Sequence, residues 1–276
     1  MFWAGRDPAE TIFELTRLGI HCGQLGIPGD LDLSCAAAWR DAIAAADFNV
    51  YTVFAAFEGE SYADVAAVRS TVGFIPRATR EARERRMYEV IDFAVALVAP
   101  GVATHIGFVP EDARDPDYIA VREMVRRICD KAAIHGQTFA LENGQELAEV
   151  SLDFIHYVNR DNLGINFDPA NMILYGTGDP IEALDVLGSH VLSVHCKDGD
   201  WPADKQSLGL ERPLGRGKVG VERFLRQLRH VGYRGALAIE REAQDPAERM
   251  RDIEAAIGLL TPLLSLPPAG APDPGE

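Results

Sequence analysis

The chain has 276 residues, of which 47% are hydrophobic and 25% charged, and its formal net charge is −15; these proportions are ordinary for a globular domain. No stretch approaches the ~20 apolar residues that span a bilayer, and no charged-then-apolar leader precedes the first predicted helix, so we expect a cytoplasmic protein without a membrane partner. The acidic balance argues against a nucleic-acid partner, because nucleic acids are bound by clustered Lys and Arg.

Strand and helix patterns alternate along the chain. Strands are predicted near residues 1–5, 20–26, 50–57, 102–108, 138–143, 163–168, 190–197 and 235–241. Helices are predicted between and after them, at 8–18, 34–46, 77–98, 116–135, 147–159, 179–187, 220–231 and 245–262. Eight strand–helix units in a chain of this length predict a single α/β domain, a (β/α)8 TIM barrel, over residues 1–265.

The two ends of the chain are the least regular parts of this pattern. The first strand is short, which predicts either that the native chain starts further upstream or that the barrel is sealed imperfectly at this strand. Residues 266–276 are rich in Pro and Gly, and we expect them to form a disordered tail.

Four predicted strands end in a side chain that can bind a metal ion. These strand ends lie at 138–142, 164–168, 191–195 and 236–240. In each, the residues one and three positions before the end are bulky and apolar, and the residue two before it is small or polar. Side chains alternate along a strand, so the polar ends face the barrel interior. Because active sites of such barrels lie at the C-terminal strand ends, one metal site is predicted from Glu142, Asp168, His195 and Glu240.

This set of side chains indicates which metal ions the site prefers. Three carboxylates and one imidazole form a hard, oxygen-rich site, which favours one divalent cation, Mn²⁺ first, with Mg²⁺, Co²⁺ or Zn²⁺ as alternatives. For Asp168 alone, the alternative is a capped turn, because Asp before Pro starts helices well. For the whole set, the competing interpretation is four unrelated polar residues. It requires all four to share the inner face and the same end of the barrel by coincidence.

Five motifs resemble those of the xylose-isomerase-like TIM-barrel superfamily, in particular its sugar phosphate isomerase/epimerase members. They are ALENGQE at 140–146, NFDPAN at 166–171, VHCKDG at 194–199, PLGRG at 213–217 and IERE at 239–242, and the resemblance covers residues 2 to about 260. In that family the residues that match the four predicted ligands bind one divalent cation. The resemblance also implies that Glu142 and Glu240 are catalytic and exchange protons on opposite faces of a sugar.

Four other residues are candidate substrate contacts. His105 has the parity to face the mouth from the fourth strand, where the family often carries a substrate-binding His; a buried structural His is the alternative. Asn171 stands where several relatives carry a second substrate-contacting His. Lys197 should face inward and hold a substrate oxygen or phosphate, or else pair with a carboxylate. Arg216, like Arg212, matches a region with a substrate-facing Arg in relatives, although a loop arginine is more often solvated.

The resemblance implies a divalent-metal-dependent isomerase or epimerase that acts on a sugar, ketose or sugar phosphate through an enediolate. A lyase or dehydratase acting on a keto-sugar, keto-inositol or 3-keto-glycoside shares the first step and remains the alternative. An apurinic-site endonuclease fits poorly, because those enzymes use more His and Asp ligands and a basic DNA-binding face. A non-catalytic sugar-binding barrel is disfavoured by the intact carboxylates of Glu142 and Glu240.

The expected partner is a small carbohydrate, and the sequence leaves open whether the chain forms a homo-oligomer. A neutral sugar is favoured over a phosphorylated one. The sequence has no Gly-rich phosphate cradle at a helix start, and three carboxylates around one dication would repel a phosphate.

Overall fold

The computed structural model of the chain describes residues 1–204 and 206–264, so the predicted tail at 266–276 lies outside the described residues. The strands of the described part are β1 (Phe2–Trp3), β2 (Cys22–Ile27), β3 (Asn49–Ala55), β4 (Gly101–His105), β5 (Thr138–Glu142), β6 (Leu163–Phe167), β7 (Val191–Cys196), β8 (Asp198–Asp200), β9 (Leu210–Arg212) and β10 (Leu237–Ile239). Strands β1 to β7 and β10 form one parallel sheet in that order, and β8 pairs with β9 in a separate antiparallel hairpin. The predicted (β/α)8 fold is confirmed.

Helices connect the strands of the sheet. They are α1 (Pro8–Arg17), α2 (Ala36–Ala45), α3 (Val65–Thr71), α4 (Arg80–Ala96), α5 (Pro116–Ala133), α6 (Ala148–Val158), α7 (Pro169–Tyr175), α8 (Pro180–Leu187), α9 (Val221–His230) and α10 (Pro246–Leu264). The short helices α3 and α7 are not predicted by the sequence pattern, because seven residues are too few to show a helical period. Within residues 1–204 and 206–264, no helix is both long enough and apolar enough to cross a membrane.

The predicted alternation of side chains along the strands is present in the structure. Phe139, Ile165 and Phe167 belong to the main hydrophobic core, where burial of each such side chain contributes about 1.5–3 kcal/mol. Ala103 and Ala140 are opposite each other in the register of β4 and β5, and together with Phe54 of β3 they form a second, much smaller apolar cluster. Bulky residues therefore fill the space under the helices, and small residues leave room inside the barrel for polar groups.

The two edges of the sheet meet without strand pairing. Among the described residues, no ladder joins β1 to β10, and the Met1 nitrogen donates a hydrogen bond to the Ile239 carbonyl. This arrangement agrees with the imperfect seal expected from the short first strand.

A buried carboxylate organises the segment between β7 and α9, which contains the β8–β9 hairpin. Asp198 accepts hydrogen bonds from the backbone N–H groups of Gly199, Gly215, Gly217 and Val219 at 2.9–3.0 Å. A Cβ at position 217 would lie 2.3 Å from Asp198 Oδ1, so only glycine allows this approach. The PLGRG motif therefore wraps a carboxylate and holds the hairpin against the mouth of the barrel.

Candidate metal centre

The structure brings the four predicted ligands together at the C-terminal mouth of the barrel. Glu142 ends β5, Asp168 follows β6, His195 lies near the end of β7, and Glu240 follows β10. One ligand atom from each residue lies within 4.8 Å of the other three, and all but Glu240 are fully buried. Parallel pairing places these strand ends at one level, so residues distant in sequence converge on a single point.

His195 is at the centre of the cluster. Its Nδ1 lies 2.7 Å from Glu142 Oε1, 2.9 Å from Glu240 Oε2 and 3.6 Å from Asp168 Oδ2. Burial alone would lower the pKa of His195, but the Glu240 and Glu142 carboxylates outweigh burial and hold this pKa well above its usual value. Three carboxylates thus surround a proton on Nδ1, and a cation bound there would displace that proton.

Asp168 divides its two oxygens between the fold and the cluster. Oδ1 accepts hydrogen bonds from Ala170 N at 2.8 Å and Asn171 N at 3.1 Å, and so caps α7. Oδ2 is buried and has no hydrogen-bond partner among the described residues. Burial raises the pKa of Asp168 to about 6. An unpaired buried carboxylate oxygen costs free energy, so the donor set fits a hard divalent cation beside this oxygen.

His105 supports Glu142 from β4. Its Nε2 contacts Glu142 Oε2, and its Nδ1 lies 3.2 Å from Gln145 Nε2. Burial works to raise the pKa of Glu142, but His105 and His195 outweigh burial and lower this pKa to about 2. Glu142 is therefore held as a carboxylate by two imidazoles, of which His105 also faces the cavity.

Lys197 is surrounded by carboxylates. Its Nζ lies 3.3 Å from Glu240 Oε2, 3.2 Å from Glu242 Oε2 and 4.0 Å from Asp168 Oδ2. Burial alone would lower the pKa of Lys197, but Glu240 and Glu242 outweigh it and hold this pKa well above its usual value. The ammonium charge is thus already balanced within the protein.

A cavity of about 250 Å³ opens above the cluster. Glu142 and Glu240 form part of its wall, together with three of the predicted substrate contacts, His105, Asn171 and Lys197. Its other walls are largely aromatic or acidic and include Trp3, Phe54, Tyr62, Tyr175, Glu211 and Glu242. This volume is smaller than the roughly 300–1,000 Å³ of pockets for drug-sized ligands, and so suits a ligand of monosaccharide size.

The structure does not bring the predicted loop arginines to this cavity. Arg216 is exposed and is not among the residues that line it. Arg212 donates to Asp200 Oδ2 at 2.7 Å, within the β8–β9 hairpin. Among the described residues, Lys197 is therefore the only Lys or Arg side chain at the wall of the cavity.

Comparison with known proteins identifies the family. A family model described as the xylose isomerase-like TIM barrel matches residues 14–263. The chain belongs to this family. A xylose isomerase domain protein from Planctomyces limnophilus is 43% identical, with 95% of each chain covered and a TM-score of 0.90.

More distant members of the xylose isomerase-like fold include enzymes of two reaction types. A D-psicose 3-epimerase solved in the presence of D-fructose is 16% identical over 95% of both chains, with a TM-score of 0.69. A probable 3-DHS dehydratase from Bacillus anthracis is 14% identical over 91% of this chain and 92% of its own, with a TM-score of 0.65. At these identities the likeness establishes the shared fold alone.

A curated relative, the uncharacterized protein MJ1311 of Methanocaldococcus jannaschii, is 24% identical over 60% of this chain. The match spans 58% of the length of that relative.

Several residues at this centre are absent from the sequence-based prediction. Gln24 could have been predicted, because it is a polar residue within the otherwise apolar strand β2 and the alternation of side chains places it on the inner face of the barrel. Glu242 had a weaker one, two residues after Glu240. Tyr62 and Tyr175 lie outside the predicted strands and helices, so no periodic pattern indicates that they reach the cavity.

Proposed function

We propose that this chain is a divalent-metal-dependent isomerase or epimerase that acts on a sugar or ketose through an enediolate. The proposal rests mainly on the placement of two carboxylates beside one cavity of about 250 Å³. Glu142 ends strand β5, and Glu240 directly follows strand β10. Two bases on different sides of a small substrate can remove and return a proton at one carbon.

We propose that Glu142, Asp168, His195 and Glu240 hold one cation, with Mn²⁺ as the leading choice because three of the four donors are carboxylates. When bound, such an ion supplies Lewis-acid polarisation of two neighbouring substrate oxygens. The buried Asp168 Oδ2, which has no hydrogen-bond partner among the described residues, supports this assignment.

We assign the proton transfers to Glu240 and Glu142. Burial would raise the pKa of Glu240, but His195 and Lys197 outweigh it and keep this pKa well below its usual value, so Glu240 is ionised. The carbon–hydrogen electron pair then becomes part of the enediolate, and a proton returned to the same or the neighbouring carbon completes the reaction. Such general base catalysis contributes about 10²–10⁴ in rate, or roughly 3–5 kcal/mol of barrier.

A neutral monosaccharide fits the mouth better than a sugar phosphate. Glu142, Glu240, Glu211 and Glu242 line the cavity, and the charge of Lys197 is balanced by its carboxylate neighbours. A phosphate would enter a field that repels it. We propose His105, Asn171 and Lys197 as contacts to sugar hydroxyls; the role predicted for Arg216 stays a prediction.

The reaction class is tested by incubating the Mn²⁺-loaded protein in D₂O with ketoses, their phosphates and 3-keto-glycosides, and following exchange by NMR. Deuterium incorporation without loss of a β-substituent is the expected result. Elimination would instead select the lyase or dehydratase alternative, which the distant likeness to a 3-DHS dehydratase keeps open. If the loaded protein neither exchanges nor eliminates across this panel, the proposed activity is wrong.

The proposed role of Lys197 predicts the outcome of a comparison between a sugar and its phosphate. We expect kcat/KM to be higher for the sugar, and Lys197→Met to leave the ratio of the two values nearly unchanged. If Lys197 bound the phosphate, loss of a charge-assisted bond worth about 1.5–3 kcal/mol would change that ratio by roughly 10–150-fold. A strong phosphate preference that disappears in Lys197→Met would contradict the neutral-sugar assignment.

A further inference from the structure

We infer that Gln24, Asn166 and Ser193 form a positioning network that fixes which nitrogen of His195 faces the cation. The inference rests on the proposed metal site and does not depend on the reaction catalysed there. The three residues come from different strands, β2, β6 and β7, and all three side chains are buried on the inner face of the barrel.

The contacts form a continuous path from Glu142 to His195. Asn166 Nδ2 donates to Glu142 Oε1 at 3.2 Å. Asn166 Oδ1 accepts from Gln24 Nε2 at 3.1 Å and from Ser193 Oγ at 2.5 Å. Gln24 Oε1 in turn contacts His195 Nε2, and Asn166 Nδ2 lies 3.2 Å from the same nitrogen.

The direction of each hydrogen bond follows from the carboxylate at one end of the path. An ionised carboxylate only accepts, so Asn166 must turn its NH₂ group towards Glu142 and its carbonyl towards Gln24. Gln24 must then donate to that carbonyl, which leaves its own carbonyl to face His195. A carbonyl cannot donate, so the close contact between Gln24 Oε1 and His195 Nε2 requires a proton on Nε2, and the longer approach of the Asn166 NH₂ group is then not a hydrogen bond to this nitrogen. Only Nδ1 is left to bind a cation.

This arrangement stabilises a metal ligand in two ways. A hydrogen-bond acceptor on the outer nitrogen of an imidazole fixes its ring orientation and raises the basicity of the nitrogen that binds the metal. Burying three polar side chains is costly unless each finds partners, and the neighbouring interior positions Ala103 and Ala140 are apolar. The three polar residues of the network connect a ligand of β5 to the ligand of β7.

The chain offers a matched pair of variants to test the network. Gln24→Met removes the acceptor for His195 Nε2 and nearly preserves side-chain length. Gln137→Met is the control, because Gln137 is also a buried glutamine whose Nε2 donates one hydrogen bond, to Ala99 O at 3.0 Å, at the opposite end of β5. Both variants should lower the melting temperature of the metal-free protein.

Of these two glutamine variants, only Gln24→Met should weaken binding of Mn²⁺, measured by calorimetric titration with MnCl₂. We expect a fall in affinity of about 10–100-fold, the range typical for residues that orient a metal ligand, and a smaller fall for Ser193→Ala. Gln137→Met should bind as the wild type does. Equal Mn²⁺ affinity in the wild type and in Gln24→Met overturns the inference, as does an equal loss in Gln24→Met and Gln137→Met.

A second measurement separates the network from the metal site. In metal-free protein with ¹⁵N-labelled histidine, NMR should show a solvent-protected Nε2–H of His195, identified by its disappearance in His195→Asn. This signal should also be lost in Gln24→Met if that variant folds. If the wild type binds no Mn²⁺, the proposed metal site fails, and the NMR signal alone decides whether the network orients His195. A His195 ring protonated only at Nδ1 in the wild type would overturn the inference without any variant.

Discussion

Replacing Asp168 with asparagine is expected to abolish tight binding of Mn²⁺ while leaving the barrel folded. The two backbone donors at Ala170 and Asn171 require an acceptor, so the new amide must turn its oxygen towards α7 and preserve the cap. Its NH₂ group then replaces Oδ2, the oxygen that faces the cluster. A donor in place of a ligand should cost more than the roughly 10–100-fold caused by losing a supporting residue.

Calorimetric titration with MnCl₂ and elemental analysis measure the loss of Mn²⁺ binding in Asp168→Asn. The melting temperature with and without Mn²⁺ shows how strongly Mn²⁺ binding stabilises the fold. A ligand that binds only the folded state raises its stability, so the wild type should gain stability from Mn²⁺ and Asp168→Asn should not. Asp179→Asn is the control, because Asp179 caps α8 by accepting from Ile181 N at 2.7 Å and lies in no metal cluster among the described residues. Full Mn²⁺ occupancy in Asp168→Asn would remove Asp168 from the ligand set.

The convergence of the four candidate ligands was predictable because it follows from two local rules. Side-chain alternation assigns Glu142, His195 and Glu240 to the inner face, and parallel order places all strand ends at one level. Neither rule needs a distance between residues far apart in sequence. The convergence of these candidate ligands could therefore be predicted before any contact was known.

The contacts around these ligands depend on distances that no periodic pattern encodes. The sequence predicted either substrate binding or a salt bridge for Lys197. In the structure Lys197 lines the cavity and also pairs with Glu240 and Glu242. The sequence treated a metal ligand and a capped turn as alternatives for Asp168; in the structure one oxygen caps α7 and the other lies 3.6 Å from His195 Nδ1. Tyr62 and Tyr175 reach the cavity from segments outside the predicted elements, where composition indicates only a loop.

Replacing Glu240 with glutamine is expected to slow substrate deuterium exchange by about 10²–10⁴, the usual contribution of a general base. The substitution preserves volume and leaves an amide oxygen towards the cluster, but it removes the group that accepts the proton. Metal affinity should fall too, so exchange is measured at saturating Mn²⁺, on a substrate found in the D₂O screen. Because every protein molecule then carries Mn²⁺, the exchange rate reports proton transfer and not the weaker binding of the metal.

A matched control for Glu240→Gln is Glu84→Gln. The side chain of Glu84 is 14% exposed, against 10% for Glu240, and Glu84→Gln also removes the carboxylate that pairs with a cation, here Arg127 at 2.6 Å. Glu84 belongs to α4 and Arg127 to α5, so this pair lies outside the candidate metal centre. We expect Glu84→Gln to exchange deuterium at the wild-type rate, which would exclude a general effect of losing a paired carboxylate. Wild-type exchange in Glu240→Gln would mean that Glu240 is a metal ligand only, and the mechanism with two bases would be wrong.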